Sequence, residues 1–272
     1  MMRIFLPLVV CGLLFYSCNT NPPTSPESIS YPAGKIIATA NINLEPSNVP
    51  ADKVVLLEDF ANVSCVPCVT SNMIIESLLN GSYAGKIAVV KFPLSWPSPY
   101  DPFYLANKSI CDERITYYNI IEAPTIKVDG IYTPTAGDSN AVKARIDERL
   151  MSIAPFSITV NTGFQDSSLI VNINVQAINL TGINLDELKL YTIVIENDIE
   201  FDEAPGSNGE KVFYNVLRKS LPTDDGVAFS TLSDNTFNWE ADLLSDWNPA
   251  NLRVVSFIQN DQTKEVLQAG ID

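Results

Sequence analysis

Two cysteines separated by two residues, Cys65-Val66-Pro67-Cys68, are the residues of this chain best suited to do chemistry. Thiols at that spacing on the first turn of a helix can close a disulfide and open it again. The flanking segments supply the setting. Val54-Val55-Leu56-Leu57-Glu58-Asp59-Phe60 is an apolar run with acids near its end, and Met73, Ile74, Leu78 and Leu79 recur as one buried helix face. A strand therefore leads into the pair and a helix leaves from it. At such a junction the backbone N–H groups and the positive end of the helix dipole stabilise a thiolate on the first sulfur. The chemistry predicted is thiol–disulfide exchange. A small static disulfide is the other reading of the same spacing.

Composition narrows the choice. The chain has 272 residues, a net charge of −15 and no histidine. Ser-His-Asp and Cys-His catalysis, His-ligated zinc and imidazole proton shuttling are thereby excluded. The acidic balance argues against a nucleic-acid partner, because phosphate neutralisation needs clustered Lys and Arg. A hydrophobic content of 46 % marks a folded chain, long enough for one large or two ordinary domains. Cys65, Cys68 and Cys111 are too few soft ligands for a zinc site, and neither metal nor cofactor is expected. Cys111, in Ser109-Ile110-Cys111-Asp112, reads as a buried helix residue. The acidic stretch Asp198, Glu200, Asp202, Glu203 lacks the glycine and closing glutamate of an EF-hand loop and reads as a solvated loop.

The N-terminus reads as a targeting segment. Arg3 precedes the apolar stretch Ile4 to Tyr16, which is shorter than the roughly 20 residues of a membrane span. Phe15-Tyr16-Ser17-Cys18 resembles the lipobox of bacterial lipoproteins, with phenylalanine where leucine is usual. The resemblance implies removal of residues 1–17 and acylation of Cys18; simple secretion with cleavage near Ser17 is the alternative. Residues 18–33, with Pro22, Pro23, Pro26 and Pro32, have the composition of an extended tether.

Alternating α and β signals fill residues 34–153. Lys35 to Asn43 reads as an edge strand, Lys53 to Phe60 and Lys86 to Phe92 as buried strands, and Tyr104 to Tyr118 as a helix. Pro124 to Val128 and Ile131-Tyr132 flank Asp129-Gly130, a tight hairpin signal. Val142, Ile146, Leu150 and Ile153 mark one face of a closing helix that starts at Asp138 or Ser139. Residues 154–272 read as about eight short alternating strands with turn residues between them. The expected fold class is thus α/β followed by an all-β antiparallel sandwich of immunoglobulin-like type.

Three positions in order give the first part a family resemblance. The Cys65-Val66-Pro67-Cys68 motif, Ala123-Pro124-Thr125 before a strand, and Asp59-Phe60 ahead of the first cysteine together resemble a thioredoxin-like domain. The resemblance implies that Cys65 attacks a substrate disulfide, Cys68 resolves the mixed disulfide, Asp59 moves a proton and Pro124, in a cis bond, holds the substrate strand. Glu58 competes with Asp59 for that role. The sequence departs from the family at Ser64, where tryptophan is usual, and at Val66, where glycine is usual. The tail Asn251 to Asn260 with Thr263 to Ala269, and Tyr214-Asn215-Val216-Leu217-Arg218, resemble the twenty-eight-kilodalton outer-membrane protein family. Together these imply a lipid-anchored envelope oxidoreductase of reductase or isomerase type. Its partners would be protein thiols and disulfides, an external electron donor and, through the anchor, the outer membrane. A surface binding or adhesion lipoprotein with a structural Cys65–Cys68 disulfide is the alternative.

Overall fold

In the computed structural model, residues 34–229 and 236–272 are described. The expected signal peptide, the tether and Cys18 lie outside them. In chain order the elements are β1 (Gly34–Asn43), β2 (Val55–Ala61), α1 (Val66–Leu79), β3 (Ile87–Pro93), α2 (Pro102–Ala106), α3 (Lys108–Tyr118), β4 (Thr125–Val128) and α4 (Ser139–Leu150). These are followed by β5 (Phe156–Gln165), β6 (Ser168–Ala177), β7 (Leu188–Glu196), β8 (Ile199–Glu200), β9 (Val212–Phe213), β10 (Val216–Leu221), β11 (Val227–Ala228), β12 (Thr236–Leu243), β13 (Leu252–Asn260) and β14 (Val266–Ile271). The architecture is mixed α/β with several sheets.

Strands β2 and β3 are buried at every position, as strands covered on both faces must be. They pair in parallel, and β4 adds antiparallel to β2. The sheet does not stop at β3. Its order is β14-β13-β7-β10-β3-β2-β4, with β11 beside β7, so strands from both halves of the chain form one eight-stranded sheet. The join is the parallel β10–β3 pair at Val216 and Lys91.

Alternation sorts the side chains of this sheet. Leu56, Phe60, Val90 and Phe92 pack with Tyr191, Ile193, Val255 and Phe257 beneath Ile110, Cys111 and Tyr118 of α3. Val55, Leu57, Val89, Ile126 and Val128 point the other way, into Ile75 and Leu78 of α1 and Val142 and Ile146 of α4. On that same side further along, Leu190, Val194, Val254 and Ile258 meet a second sheet of order β12-β1-β6-β5.

Five expectations are corrected here. The Lys35–Asn43 strand is not an edge: β1 lies between β12, antiparallel to it, and β6, parallel to it. Its even residues Ile36, Ala38, Ala40 and Ile42 enter the inter-sheet core while Asn41 and Asn43 bond Asn174 and Gln176 on the outer face. The parallel β1–β6 pair also means that the second sheet is not wholly antiparallel. The buried face of α1 is Cys68, Ser71, Ile75 and Leu78, whereas Met73 is 68 % exposed. Cys68 must face inward to meet Cys65, and its i+3, i+7 and i+10 positions follow it. The helix expected over 104–118 is two helices that break at Asn107, and Ile153 lies beyond α4 with its side chain exposed.

Polar groups tie the layers. Asp129 and Gly130 take left-handed φ angles of 44° and 73° at the turn after β4, the conformation that Asp-Gly serves at low cost. The buried Asp129 carboxylate there binds Lys53 Nζ at 2.8 Å and Arg149 Nε at 2.8 Å. On the opposite face Arg114 donates to Glu58, Gln259 and Tyr118. Cys111 is a free, buried thiol of α3, and burial pushes its pKa well up.

Candidate active site

The disulfide forms where a covered strand ends. After Ala61, Asn62 turns the chain: its side-chain amide donates to Leu94 O at 2.7 Å and Ser98 O at 2.9 Å, and its Oδ1 accepts from Ser64 N at 2.9 Å. Val63 N donates to Asp101 Oδ2 at 2.9 Å. Asp101 also caps α2 through Phe103 N and Tyr104 N. One carboxylate thus fixes both the approach to the cysteines and the next helix. Burial raises its pKa, against the opposing pull of those three N–H donors.

Cys65 is the N-cap of α1 and Cys68 lies in its first turn, bonded to each other with Cα atoms 5.3 Å apart. No side chain caps this helix, so the N–H groups of the first turn are not engaged by a competing carboxylate or hydroxyl. Pro67 has no N–H to satisfy there. Cys65 is 3 % exposed and Cys68 fully covered, while Val66 between them is 66 % exposed. Ala123 packs against Ala61 and both cysteines, and the Ala123-Pro124 bond is cis, as expected. Beside them opens a groove of about 480 Å³ lined by Pro67, Thr70, Ala123, Pro124, Thr135 and Gly137 among others.

The acids divide between the faces. Asp59 lies on the α1 side of β2, fully buried, with Lys91 Nζ 2.6 Å from its Oδ2. Among the described residues its Oδ1 has no hydrogen-bond partner, an uncommon state for a buried carboxylate oxygen. Lys91 also donates to Asn72 Oδ1, and Asn72 Nδ2 donates to Glu210 at 2.8 and 3.0 Å. Glu76, on the next turn of α1, has its pKa raised by burial, with Lys91 pulling the other way. Glu58 points to the opposite face, where Arg114 and Tyr118 engage it. Alternation separates the two acids. Only Asp59 is on the side of the sheet that carries the disulfide helix.

Sequence reasoning did not single out Lys91, Asn72 or Glu210. A lysine inside the apolar run Ile87 to Pro93 was the available signal for the first. Nothing in the sequence marked Glu210, which arrives from the C-terminal half. Of the expected acidic loop, Glu203 approaches Lys211 at 3.6 Å and the Asp202 carbonyl accepts from the same ammonium. Among the described residues no cluster of metal-ligating side chains occurs. No helix among them is long and apolar enough to cross a membrane.

Asp101 offers a direct test of this local order. Asp101→Ala leaves three buried N–H donors without their acceptor. A loss of about 2 kcal/mol is expected in urea unfolding, together with faster amide exchange at Val63.

Residues 112–270, more than half of the chain, match the family model described as outer membrane protein Omp28. The chain belongs to the Omp28 family. Comparison with curated proteins finds no match. Among solved structures, HBP35 of Porphyromonas gingivalis is similar with a TM-score of 0.67 and 16 % identity, over 84 % of this chain and 76 % of that one. Protein AGR_C_4864 from Agrobacterium tumefaciens is similar with a TM-score of 0.51 and 11 % identity, over 81 % and 95 %. At such identities the likeness is one of fold. The Omp28 match begins after the disulfide, at Asp112, and takes in Pro124, β10 and the Glu210 loop.

Proposed function

We propose that this Omp28-family protein is a thiol–disulfide oxidoreductase of the cell envelope, of reductase or isomerase type, tethered to the outer membrane through lipid on Cys18. The observation that carries this reading is the Cys65–Cys68 disulfide at an uncapped helix N-terminus, packed against Ala123 beside an open groove. In exchange, the Cys65 thiolate attacks one sulfur of a substrate disulfide and expels the other as a thiolate. The Cys68 thiolate then attacks Cys65 in the mixed disulfide, releasing the second substrate thiol and closing the protein disulfide. Two electrons pass to the substrate, and an external thiol donor must return them. Asp59 Oδ1, buried and without a donor among the described residues, is the group that the reading assigns to proton transfer. Pro124 borders the groove that would hold the substrate strand. The strands of the second half, joined by β1, line one core between two sheets and would then be an immunoglobulin-like sandwich that shares a sheet with the oxidoreductase unit.

The direction of transfer follows from charge. No histidine can supply an imidazolium to the Cys65 thiolate, and the Lys91 ammonium is already committed to Asp59 and Asn72. The reduced form gains stability from the helix N-terminus alone, so the couple should be reducing. Equilibration of the full chain with glutathione buffers is expected to give roughly −200 to −270 mV. A value near −120 mV would mark an oxidase instead. A second reading, a surface binding protein stapled by a static disulfide, is favoured by the near-complete burial of Cys65. Failure to reduce the pair without unfolding would select it.

A further inference from the structure

A loop from outside the oxidoreductase unit runs beside the backbone of Cys65. Between β8 and β9 the chain makes a loop, 201–211, closed at its base by Phe201 N donating to Lys211 O at 2.9 Å. Phe201 and Phe213 stack edge-on to Phe103, which fixes that base against α2. The tip lies along the residues that run into the first sulfur. Ser207 N donates to Ser64 Oγ at 3.1 Å, Asn208 N to Val63 O at 3.3 Å, and Asn208 Nδ2 to Cys65 O at 3.5 Å. A Cβ on Gly206 would stand 2.2 Å from Val63 O, so only glycine permits this approach. Glu210 then holds the loop to α1 itself, accepting from Asn72 at 2.8 and 3.0 Å and from Asn208 at 2.6 Å.

We propose that the 201–211 loop is a specificity element of the disulfide site. It screens Cys65 on the side of Val63 and Ser64 and leaves the Ala123-Pro124 groove as the approach for substrate, which must then present its disulfide on an extended, flexible segment. The proposal rests on the oxidoreductase reading. Two features of the structure converge on it. Ser64 is small and supplies the hydroxyl that receives Ser207, and a bulky residue there would displace the loop tip. The loop is also clamped at both ends of the disulfide turn, at residues 63–65 and at Asn72, which is the placement of a wall rather than of a passing connection. A rigid folded surface cannot bring its disulfide to Cys65 past Asn208. A slim strand entering between Pro67 and Pro124 meets no such obstacle.

The test uses the full chain, a Ser207→Pro/Asn208→Ala variant that unlatches the tip by removing its donors to Ser64 and Cys65, and Gly206→Val, which forces it off Val63. Three rates are measured: disulfide exchange with a short flexible cystine peptide, exchange with a folded protein whose disulfide lies on a rigid surface, and reduction by dithiothreitol. The unaltered chain is expected to favour the peptide. Both variants should raise the rate with the folded protein about tenfold, the factor released by losing about 1.4 kcal/mol of hydrogen bonding, while the peptide rate changes less than about twofold. An unchanged preference in both variants sinks the proposal. So does a parallel rise for both substrates with a shifted redox potential, which would mean that the loop acts on the sulfur and not on access. If the unaltered chain exchanges with neither substrate, the oxidoreductase reading fails by itself. The dithiothreitol rate then decides the wall alone, a rise in the variants upholding it and equal rates removing it.

Discussion

An Arg114→Ala chain is expected to lose about 3–5 kcal/mol of stability, a large part of the roughly 5–15 kcal/mol that holds a protein folded. Arg114 is buried in the layer between α3 and the sheet. Its Nε donates to Glu58 at 2.9 Å, Nη1 to Gln259 at 3.0 Å and Nη2 to the Tyr118 hydroxyl at 3.1 Å, with a further bond to Glu58. The rings of Phe92, Tyr117, Tyr118, Tyr191 and Phe257 surround its guanidinium at 4.9 to 5.8 Å. Burial works against its charge, but Glu58 more than offsets this and leaves the pKa above its ordinary value. Truncation strands the Glu58 carboxylate in the core with Tyr118 as its remaining side-chain donor, at 2.5 Å. The measurement is the urea midpoint at unchanged slope. A Glu58→Met/Arg114→Met chain should recover much of the loss, because removing both charges strands neither. A single variant as stable as the parent would mean that the ion pair does not organise this layer.

That layer also shows what the sequence could and could not disclose. The strand–helix junction at Cys65 was legible because everything that makes it is local: an apolar run, a proline in the first turn and a helical period. The Asp129-Gly130 turn was legible for the same reason, since two left-handed residues need those side chains. The partners of a strand are not local. Lys35–Asn43 showed the alternation of a half-buried strand, yet nothing in it says that β6 and β12, far along the chain, flank it. The choice between Met73 and Ile75 for the buried face of α1 turned on the disulfide, which sets the helix register from its first turn. Asp59 and Glu58 both read as candidates; alternation gave each a face and a different cation. Glu210 and Asn208 escaped notice because their part is played through backbone carbonyls and an amide of the other half of the chain. Such contacts leave no periodicity and no motif.

Thiol–disulfide exchange is expected to vanish in Cys65→Ser, and Cys68→Ser is expected to accumulate mixed disulfides with envelope proteins. The asymmetry is the informative part. The nucleophile of exchange is a thiolate, and a serine hydroxyl near neutral pH supplies almost no anion, so Cys65→Ser should fall by several orders of magnitude to background. On the proposed reading Cys65 makes that first attack, from the N-cap of a helix that no side chain among the described residues caps and beside Ala123, with Pro67 and Pro124 lining the adjoining groove. Cys68 is fully covered and one turn inside, where it can reach Cys65 but not an incoming protein. Removing Cys68 therefore leaves attack intact and resolution absent, and the covalent intermediate persists. Acid quenching and alkylation of cells that carry each variant, followed by non-reducing electrophoresis and mass spectrometry, read both outcomes and name the captured partners. Reducible adducts should appear with Cys68→Ser and be missing with Cys65→Ser. Adducts with both variants would mean that either sulfur is open to partners, contrary to the burial of Cys68. Adducts with neither, in chains that still fold, would leave the pair as a staple and return the molecule's work to its β-sheet surfaces.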